Sequence, residues 1–498
     1  MKTLFYNAKF YSLDEKNNTY SAILCDNDKI IETYKDNYPN IEAQKINLNN
    51  SFVLPGFIDT HTHSFEGGLY QQGVDLENCN SIDDILTLLN QANIISDMIF
   101  AWRLDENNLK EKRFPTKQEL DKVNSHTPIL IRRIDGHSCI INTPAEKMIL
   151  NNNKLDYALP DNGILSGSLN DIAAHTFHKN LDNNAILNCY KQAQTIALQN
   201  GHTTIHTMIG DANQSILHYP LMNEHLNDFI IDFEIYPQSF NLEQALKYKA
   251  KRIGGCILAD GSFGSFTAGL SQAYQDKPIN EKGKLYQTQN FWDTFIEQAH
   301  KNNLQIGVHC IGDEAIMQIV TAVNKAQLKE TKDLRHQLIH CELVRDDMIP
   351  EIKKAQMYVV AQPMFDALWG QEYGFYHKVL GEKRYKKLNR YKTLTDNDII
   401  VTGGSDWYIT DLAALKGINA AVNHHNKNER LSIKDAIKLY TVNAAKLSFD
   451  ENNKGMIRKN FKADFVCLDK DIFSTNSINI IKVKRTIKNA KIVFSTET

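Results

Sequence analysis

The stretch VLPGFIDTHTH, residues 53–63, places two histidines at the end of a short apolar run. The run VLPGFID has the length and composition of a buried strand. His61 and His63 are two residues apart, and in an extended segment such side chains project to the same side. Both imidazoles can then reach one cation, so this stretch predicts a metal site. The alternative is a pair of hydrogen-bonded core histidines.

Apolar runs alternate with helical segments through the middle of the chain, which is typical of a parallel β/α fold. They are one or two more than an eight-stranded barrel needs. We therefore predict a distorted TIM (β/α)8 barrel over residues 53–449, with the surplus runs in an insertion within about 75–200. Besides the opening run, they are MIFAWRL (98–104), ILIRRID (129–135), TTIHTMI (203–209), IIDFEIYP (230–237), IGGCILAD (253–260), LQIGVHC (304–310), HQLIHCEL (336–343), YVVAQPMF (358–365) and DIIVTGGSD (398–406).

Short alternating stretches at both ends of the chain read as strands separated by polar turns. They are LFYNAKFYSL (4–13) and SAILCDNDKIIETY (21–34) at one end, and KGMIRKNFKADFVCL (454–468) and VKRTIKNAKIVF (483–494) at the other. Strands at both termini predict a small β-sandwich domain split between residues 1–52 and 450–498. The barrel is then inserted between its two halves.

Composition points to no macromolecular partner. The formal net charge is −3, with 56 basic and 59 acidic residues spread along the chain, so no basic face for nucleic acid is evident. Neither a signal-peptide core nor a run approaching the roughly 18 apolar residues of a membrane span is seen. The eight cysteines form no CxxC pair, as in proteins with reduced thiols. We expect a cytoplasmic enzyme acting on a small molecule, and the sequence leaves a homodimer open.

Polar residues also end three later apolar runs. His309 ends LQIGVHC, His340 ends RHQLIHC and Asp406 follows DIIVTGGS. In a parallel barrel the catalytic residues sit where the strands end. Either histidine alone is open to the alternative of a satisfied core residue, but histidine groups at three strand ends favour one shared metal site. Asp406 can ligate the cation, take a proton from water that the cation activates, and deliver it to a leaving group.

These residues lie in motifs that resemble the amidohydrolase superfamily, and within it amidohydrolase family 3, the YtcJ-like and N-substituted formamide deformylase-like branch. The motifs stand in family order: PGFIDTHTH (55–63), DGH (135–137), DGSFGSFTA (260–268), HCIGDEAI (309–316), RHQLIHCE (335–342), AQP (361–363), GGSD (403–406) and KADFVCLD (462–469). The resemblance implies one or two divalent metal ions, usually zinc, bound by His61, His63, His309 and His340. It also implies that Asp406 shuttles protons while a C–N bond in an amide, a formamide or an N-acyl compound is hydrolysed.

Two positions depart from the family pattern. Relatives commonly carry a lysine, which can be carboxylated and bridge two metals, where this chain has Cys256. A thiolate is a good zinc ligand, so we predict that Cys256 ligates or bridges zinc; the alternatives are a single-metal site and an inert buried cysteine. Phe266 stands where many relatives carry arginine. An arginine there could bind a substrate carboxylate through two hydrogen bonds, which phenylalanine cannot do. A neutral or aromatic substrate group is therefore favoured.

Further residues of the motif loops are predicted to support this site. Those predicted to contact substrate are His137, Phe263, Trp369 and Trp407. For His137 the alternative is structural support of the insertion, and for the aromatic residues it is ordinary packing. Asp260 and Asp313 are predicted to accept the second N–H of ligand histidines, as carboxylates often do beside metal-bound imidazoles.

The predicted function is therefore that of a metal-dependent amidohydrolase. A deaminase of an N-heterocycle is an alternative, because it uses the same barrel and ligands. A catalytically inactive binding protein is another, against which the intact ligand set argues. Serine nucleophile catalysis finds no support, since the chain has no GxSxG elbow.

Overall fold

A computed structural model describes residues 2–134, 136, 138–153, 155, 158–210, 215–275, 277–475 and 477–497. Strands and helices alternate through most of it, so the protein is of the α/β class. The strands are β1 (Lys2–Tyr11), β2 (Thr19–Asp26), β3 (Lys29–Tyr34), β4 (Gln44–Pro55), β5 (Phe57–Thr62), β6 (Val74–Asp75), β7 (Ile99–Leu104), β8 (Ile129–Arg133), β9 (Ser138–Ile141), β10 (Ile164–Ser166), β11 (His202–Ile209), β12 (Asp232–Pro237), β13 (Arg252–Leu258), β14 (Gln305–Cys310), β15 (Gln337–His340), β16 (Tyr358–Ala361), β17 (Val401–Gly403), β18 (Phe465–Leu468), β19 (Val483–Lys488) and β20 (Lys491–Ser495).

Several helices begin at a polar residue whose side chain accepts a backbone N–H of the first turn, as Ser81, Thr116 and Thr288 do. The helices are α1 (Ser64–Gln72), α2 (Ile82–Asn90), α3 (Lys117–Val123), α4 (Thr143–Asn152), α5 (Ser168–Lys179), α6 (Asn183–Gln199), α7 (Tyr219–His225), α8 (Leu242–Lys247), α9 (Gln289–Lys301), α10 (Asp313–Lys329), α11 (Met348–Lys354), α12 (Pro363–Trp369), α13 (Phe375–Tyr385), α14 (Tyr391–Asp396), α15 (Ala414–Val422), α16 (Ile433–Leu439) and α17 (Val442–Leu447), with 3-10 turns at Leu226–Asp228, Lys427–Glu429 and Ile478–Ile480. Within the described residues, no helix is long and apolar enough to cross a membrane.

The chain divides into two compact units, one made of Met1–His63 with Gln194–Thr498 and the other of Ser64–Ala193. The second unit contains a five-stranded sheet in the order β10-β9-β8-β7-β6. Strands β6, β7 and β8 are parallel, whereas β9 and β10 run antiparallel to their neighbours. The apolar runs that begin at Met98 and Ile129 form β7 and β8 of this sheet.

Strands from both ends of the chain form one seven-stranded sheet in the first unit, in the order β20-β19-β18-β4-β1-β2-β3. The join lies at β4, which pairs parallel with β1 and antiparallel with β18. Phe465 of β18 packs edge-on against Phe5 and Phe10 of β1, with ring centroids 5.9 and 6.0 Å apart. Burial of these rings holds together segments more than 450 residues apart in sequence.

Eight further strands of the first unit form two parallel sheets. One has three strands in the order β12-β11-β5, and the other has five in the order β13-β14-β15-β16-β17. A parallel bridge between Thr62 and Trp407 joins the end of β5 to the segment after β17. Every residue of β5 and β11 is buried, as expected for strands covered on both faces.

The face that α9 buries shows how the helices cover these sheets. Trp292, Phe295, Ile296 and Ala299 recur at the three- and four-residue spacing of one helix face, and all are buried in the main core. At about 25 cal/mol per Å² of apolar surface, one such aromatic side chain contributes roughly 2–3 kcal/mol on burial. The helix thereby anchors the parallel sheet whose strand ends carry the site.

A β-bulge on β13 sets the direction of Cys256. The pairing of β13 with β14 shifts register between Gly254 and Ile257. Gly254 and Gly255 have φ angles of 83° and 82°, a region that L-residues rarely adopt. A Cβ on Gly255 would overlap the sulfur of Met208. The two glycines therefore permit the bulge, and bulges of this kind re-aim the side chain that follows.

Candidate metal centre

Six predicted ligands converge at the carboxyl ends of parallel strands in the first unit. Residues from distant parts of the chain meet there because parallel strands end at a common edge. They are His61 on β5, His63 directly after β5, Cys256 on β13, His309 on β14, His340 at the end of β15 and Asp406 after β17.

Their ligand atoms fall into three overlapping groups, within each of which the atoms lie no more than 4.8 Å apart. The groups are His61, His63 and Cys256; Cys256, His309 and His340; and His61, His340 and Asp406. Asp406 Oδ1 lies 3.3 Å from Nε2 of both His61 and His63. The thiol of Cys256 is therefore shared by two pairs of histidines.

Left-handed backbone turns the chain at two of these strand ends. The φ angles are 69° at His340, 51° at Cys341 and 54° at Asp406. Such residues cost about 1–3 kcal/mol each and persist where surrounding structure holds them, often at functional sites. The Asp406 N–H donates to the His61 carbonyl at 2.8 Å. A Cβ on Gly404 would lie 2.7 Å from the His61 Cβ, so the glycine permits this close approach.

Hydrogen bonds on the outer side of two imidazoles orient them. Gln362 Oε1 accepts a bond from His340 Nδ1 at 2.7 Å. In the neutral tautomer this turns the Nε2 lone pair of His340 toward the cluster. His309 Nε2 donates to the Gly261 carbonyl at 3.1 Å, which leaves Nδ1 as its free acceptor. Both rings thus present a lone pair rather than an N–H to the site.

Two buried carboxyl groups support the strand ends. Asp59 accepts the N–H groups of His61 at 3.0 Å and of Ser405 at 3.0 and 3.1 Å, which ties the end of β5 to the loop after β17. Asp260 accepts N–H groups of Gly269, Ile311 and Gly312. Its Oδ1 lies 3.7 Å from His309 Nε2, an electrostatic neighbour and not a hydrogen-bond acceptor. Burial raises the pKa of both carboxyl groups to about 6.

The donor set fits a divalent metal ion. Both ring nitrogens of His61 and Oδ1 of Asp406 are buried and make no hydrogen bond within the described part of the chain. Burial opposes ionisation, yet the four histidines hold the pKa of the Cys256 thiol well below its usual range. His61 and His63 likewise hold the pKa of Asp406 well below its usual value. A cation binds such deprotonated donors in place of protons.

The structure places two further predicted site residues, Asp313 and Trp407, and does not describe a third, His137. Asp313 is predicted to orient a ligand histidine, but its carboxylate instead accepts bonds from Ser271 and from Arg345, at the start of α10. Within the described residues no hydrogen bond joins this carboxylate to a ligand histidine. Trp407 is buried, and its backbone N–H donates to Ser405 Oγ at 3.1 Å. His137 lies outside the described residues.

Aromatic side chains form a wall that begins at a predicted ligand. The Phe365 ring stacks on His340, with centroids 5.7 Å apart and planes at 10°. Trp369 packs on Phe365 at 4.8 Å and on Tyr376 at 6.2 Å, and Phe263 packs on Tyr376 at 5.1 Å. The predicted contact residues Phe263 and Trp369 thus belong to one aromatic surface next to the cluster. We call Phe365, Trp369, Tyr376 and Phe263 the aromatic wall.

Sequence reasoning passed over several residues that build this region. Asp59 and Gln362 lie inside quoted motifs, and the glycine pair before Cys256 is a recognisable bulge signal. Glu342 ends the motif RHQLIHCE and is buried with neither carboxylate oxygen hydrogen-bonded within the described residues. Burial raises the pKa of Glu342 to about 8, although the neighbouring Tyr376 hydroxyl and His309 act to lower it.

A second cluster of metal-ligating residue types lies in the same unit. Asp366, His424 and His425 have potential ligand atoms within 4.8 Å of one another. Asp366 Oδ1 accepts a short hydrogen bond from His425 Nδ1, and Oδ2 accepts the His425 backbone N–H at 3.0 Å. His424 Nδ1 accepts the N–H of Asn426 at 3.0 Å, which places the ring proton on Nε2, 3.3 Å from Asp366.

Comparison with known proteins places this site in a family. The chain is 26% identical to the putative amidohydrolase YtcJ of Bacillus subtilis (strain 168), with 99% of each chain covered. It is 20% identical to the N-substituted formamide deformylase of Arthrobacter pascens, over 97% of this chain and 96% of that one. An uncharacterized metal-dependent hydrolase from Pyrococcus furiosus has the same fold, with a TM-score of 0.82 and 24% identity over 95% of this chain and 100% of that one.

The family model gives the broadest match. The model of the amidohydrolase family covers residues 44–494, which includes all six residues of the cluster. Membership in that family supports a hydrolytic activity. The chain belongs to the amidohydrolase family.

Proposed function

We propose that this protein is a zinc-dependent hydrolase that cleaves a C–N bond in an amide, a formamide or an N-acyl compound. The observation that carries the proposal is the sharing of Cys256 between two pairs of histidines. Thiolate and imidazole donors suit zinc better than magnesium or manganese. The arrangement supports a site for two ions, with Cys256 as the residue common to both.

We also propose that the two parallel sheets are parts of one distorted (β/α)8 barrel. The bridge between Thr62 and Trp407 supports closure on one side. On the other side Arg252 of β13 pairs with Glu234 of β12 at 2.6 Å. In this proposal residues 53–449 make up the barrel with an insertion within about 75–200, and residues 1–52 and 450–498 make up the split β-domain.

Asp406 is the proposed proton carrier. A bound divalent metal supplies Lewis-acid activation of water and of a substrate carbonyl group. The Asp406 carboxylate lies within the cluster, accepts a proton from the attacking water and returns it to the departing nitrogen. His63 and His309 are the more open ligands, with side chains 17% and 12% exposed, so we propose that substrate enters from their side.

The substrate class follows from the family and from one relative. An N-substituted formamide deformylase matches nearly the whole chain. We therefore propose N-substituted formamides and related N-acyl compounds as the first substrates to test. The half-buried Phe266 would not clamp a substrate carboxylate as an arginine does, which supports substrates without a free carboxylate.

Metal content tests the site directly. Elemental analysis of full-length protein purified without chelator should find about two zinc ions per chain, and about one or fewer in Cys256→Ser. Cys310→Ser is the matched control, because Cys310 is a buried core cysteine on β14 outside the cluster, and it should keep its zinc. An unchanged zinc content in Cys256→Ser would remove the ligand role of Cys256. A protein without metal would contradict the proposed function.

Turnover tests the reaction class. A panel of N-substituted formamides, N-acyl amines and amino-substituted heterocycles should be assayed for released amine, formate and ammonia. We expect hydrolysis of formamides or N-acyl amines that a chelator abolishes and zinc restores. Ammonia released from heterocycles alone would assign deamination instead. A zinc-loaded protein that turns over nothing in the panel would contradict the proposed substrate class.

A further inference from the structure

Glu342 is a buried carboxyl group that the proposed hydrolytic mechanism does not use. The chain leaves β15 through two left-handed residues, His340 and Cys341, so Glu342 does not continue the alternation of the strand. The Glu342 carbonyl accepts the N–H of Asn389 at 2.8 Å, which fixes the backbone. The residue is 2% exposed. Its side chain is therefore held beside the cluster by a rigid turn.

Neither oxygen of the Glu342 carboxyl group makes a hydrogen bond of ordinary geometry within the described ranges, and the Tyr376 hydroxyl is a polar neighbour. No lysine or arginine among those residues forms an ion pair with it either. Buried polar groups in native proteins are almost always bonded, and a carboxyl group without a partner is costly to bury. An unbonded carboxyl group beside an active site is therefore a candidate contact for a ligand.

The charged surroundings of Glu342 favour a cation. Asp260 and Asp366 are buried carboxyl groups that act on it electrostatically, and His309 is its imidazole neighbour. The three carboxyl groups come from different elements, the loop after β13, the turn after β15 and helix α12. A positively charged group beside Glu342 is attracted by these carboxyl groups when they are ionised, whereas an anion is repelled.

The aromatic wall supplies a complementary surface. Tyr376 is the aromatic neighbour of Glu342, and it packs on Phe263 at 5.1 Å and on Trp369 at 6.2 Å. Trp369 is half-buried, so part of this residue is exposed to solvent. Aromatic faces attract organic cations through their negative π-surface. A carboxylate next to several rings is the usual chemistry of a site for an organic ammonium group.

We propose that Glu342 and the aromatic wall bind a cationic nitrogen group of the substrate, an alkylammonium or an amidinium. Glu342 accepts the N–H groups of the cation, while Trp369 and Tyr376 contact its face. That this cation is part of the substrate rests on the proposed hydrolase function. The cation site itself is a matter of binding, which can be measured without turnover.

Binding of small probes to the full-length, zinc-loaded protein tests the site. Calorimetric titration would use benzylammonium, neutral benzyl alcohol and anionic benzoate at about pH 8.5, where the amine is still mostly protonated and a buried carboxyl group is more readily ionised than at neutral pH. We expect benzylammonium to bind most tightly and benzoate least. Glu342→Gln should weaken benzylammonium about tenfold or more and benzyl alcohol by no more than about twofold, because a charge-assisted hydrogen bond is lost.

Two further variants separate the contributions. Glu372→Gln is the matched control, since it removes the same charge from an exposed side chain on the loop before α13, and it should leave all three affinities unchanged. Trp369→Leu should weaken benzylammonium and benzyl alcohol alike, because it removes aromatic contact and keeps the carboxyl group.

The results that overturn the inference are distinct from those that overturn the proposed function. Equal affinity of Glu342→Gln and the unchanged protein for benzylammonium would remove Glu342 from the site. Tighter binding of benzoate or benzyl alcohol than of benzylammonium by the unchanged protein would contradict the cation site. This result does not depend on whether Glu342→Gln folds. If the protein holds zinc and hydrolyses neutral formamides while ignoring benzylammonium, the hydrolase proposal stands and the cation site fails. If the protein holds no zinc but still binds benzylammonium through Glu342, the cation site stands and the hydrolase proposal fails.

Discussion

Two buried clusters in the same compact unit contain histidines and an aspartate at metal-ligand distances, yet they differ in chemistry. In the cluster around Cys256, outer hydrogen bonds turn the free lone pairs of His340 and His309 inward. In the cluster around Asp366, the aspartate accepts N–H groups from His425, and the Nδ1 of His424 is occupied by a backbone N–H.

The difference teaches that residue type and distance do not by themselves define a metal site. A metal ligand must offer a lone pair, so the proton on each imidazole decides whether an ion can bind. In the Asp366 cluster His425 Nδ1 donates to the carboxylate and His424 Nε2, which carries its ring proton, lies 3.3 Å from it, so of the two imidazoles only His425 keeps a free lone pair, on Nε2. We infer that the Cys256 cluster binds metal and the Asp366 cluster stabilises the fold.

The largest expected effect is a difference in catalytic activity between substitutions of Asp406 and of Asp366. Asp406→Asn should lower kcat/KM roughly a thousandfold or more, because the amide cannot carry the proton from water to the leaving nitrogen. The measurement is steady-state hydrolysis of the best substrate from the panel at saturating zinc. Asp411→Asn, an exposed aspartate just beyond the site, should retain full activity. If Asp366→Asn lost as much activity as Asp406→Asn, the comparison of the clusters would break.

An intermediate effect concerns the bulge that aims Cys256. Gly255→Ala should destabilise the protein by about 2–4 kcal/mol, since the new Cβ meets Met208 and the φ of 82° is unfavourable for alanine. It should also lower the zinc content, because the thiol is displaced. Chemical denaturation and elemental analysis measure the two effects. Gly264→Ala has room for a Cβ at a φ that alanine accepts, and a comparable loss there would argue against the role of the bulge.

The smallest effect is expected in the Asp366 cluster. Asp366→Asn should cost about 1–3 kcal/mol of unfolding free energy, because it removes a charged acceptor from buried histidines. Its zinc content should match that of the unchanged protein. Loss of a zinc ion in this variant would show that the cluster binds metal after all.

The pH dependence of the same variant sharpens the contrast. Burial opposes ionisation of Asp366, but its hydrogen bond with His425 and its electrostatic interactions with His424 and His425 hold its folded-state pKa below the ordinary value. A lowered folded-state pKa stabilises the fold above the unfolded-state pKa of about 3.9, and that stabilisation is lost as pH falls through the folded-state value. Denaturation curves should therefore show the difference between the unchanged protein and Asp366→Asn shrinking below about pH 4.

Much of the candidate site could be predicted from the sequence, because residue spacing and the ends of apolar runs identify the candidate ligands. The spacing of His61 and His63 puts two imidazoles on one side of an extended segment, and apolar runs before His309, His340 and Asp406 identify strand ends. The structure brings all of these side chains together with Cys256. The α/β class and the family were also predictable, since the motifs carry both.

Other features were not predictable, because they depend on contacts that sequence spacing does not encode. Asp313 follows a strand as a candidate partner of a ligand histidine should, but Arg345, brought near by the fold, binds its carboxylate. His424 and His425 carry no motif signal, and they meet Asp366 about 60 residues away. Glu342 stands in a recognisable motif, but its lack of a partner is a property of the packed interior.

By itself, the sequence determined which donor atoms are available and that buried strands deliver them to a common edge. Only the tertiary structure decided which of those donors keep a free lone pair. The proton on His340 is set by Gln362 on the next strand end, and the approach of β5 to Asp406 is set by Asp59 bonding to Ser405, 346 residues away. Hydrogen-bond partners of this kind are chosen by packing in three dimensions, so no local pattern of residues can specify them.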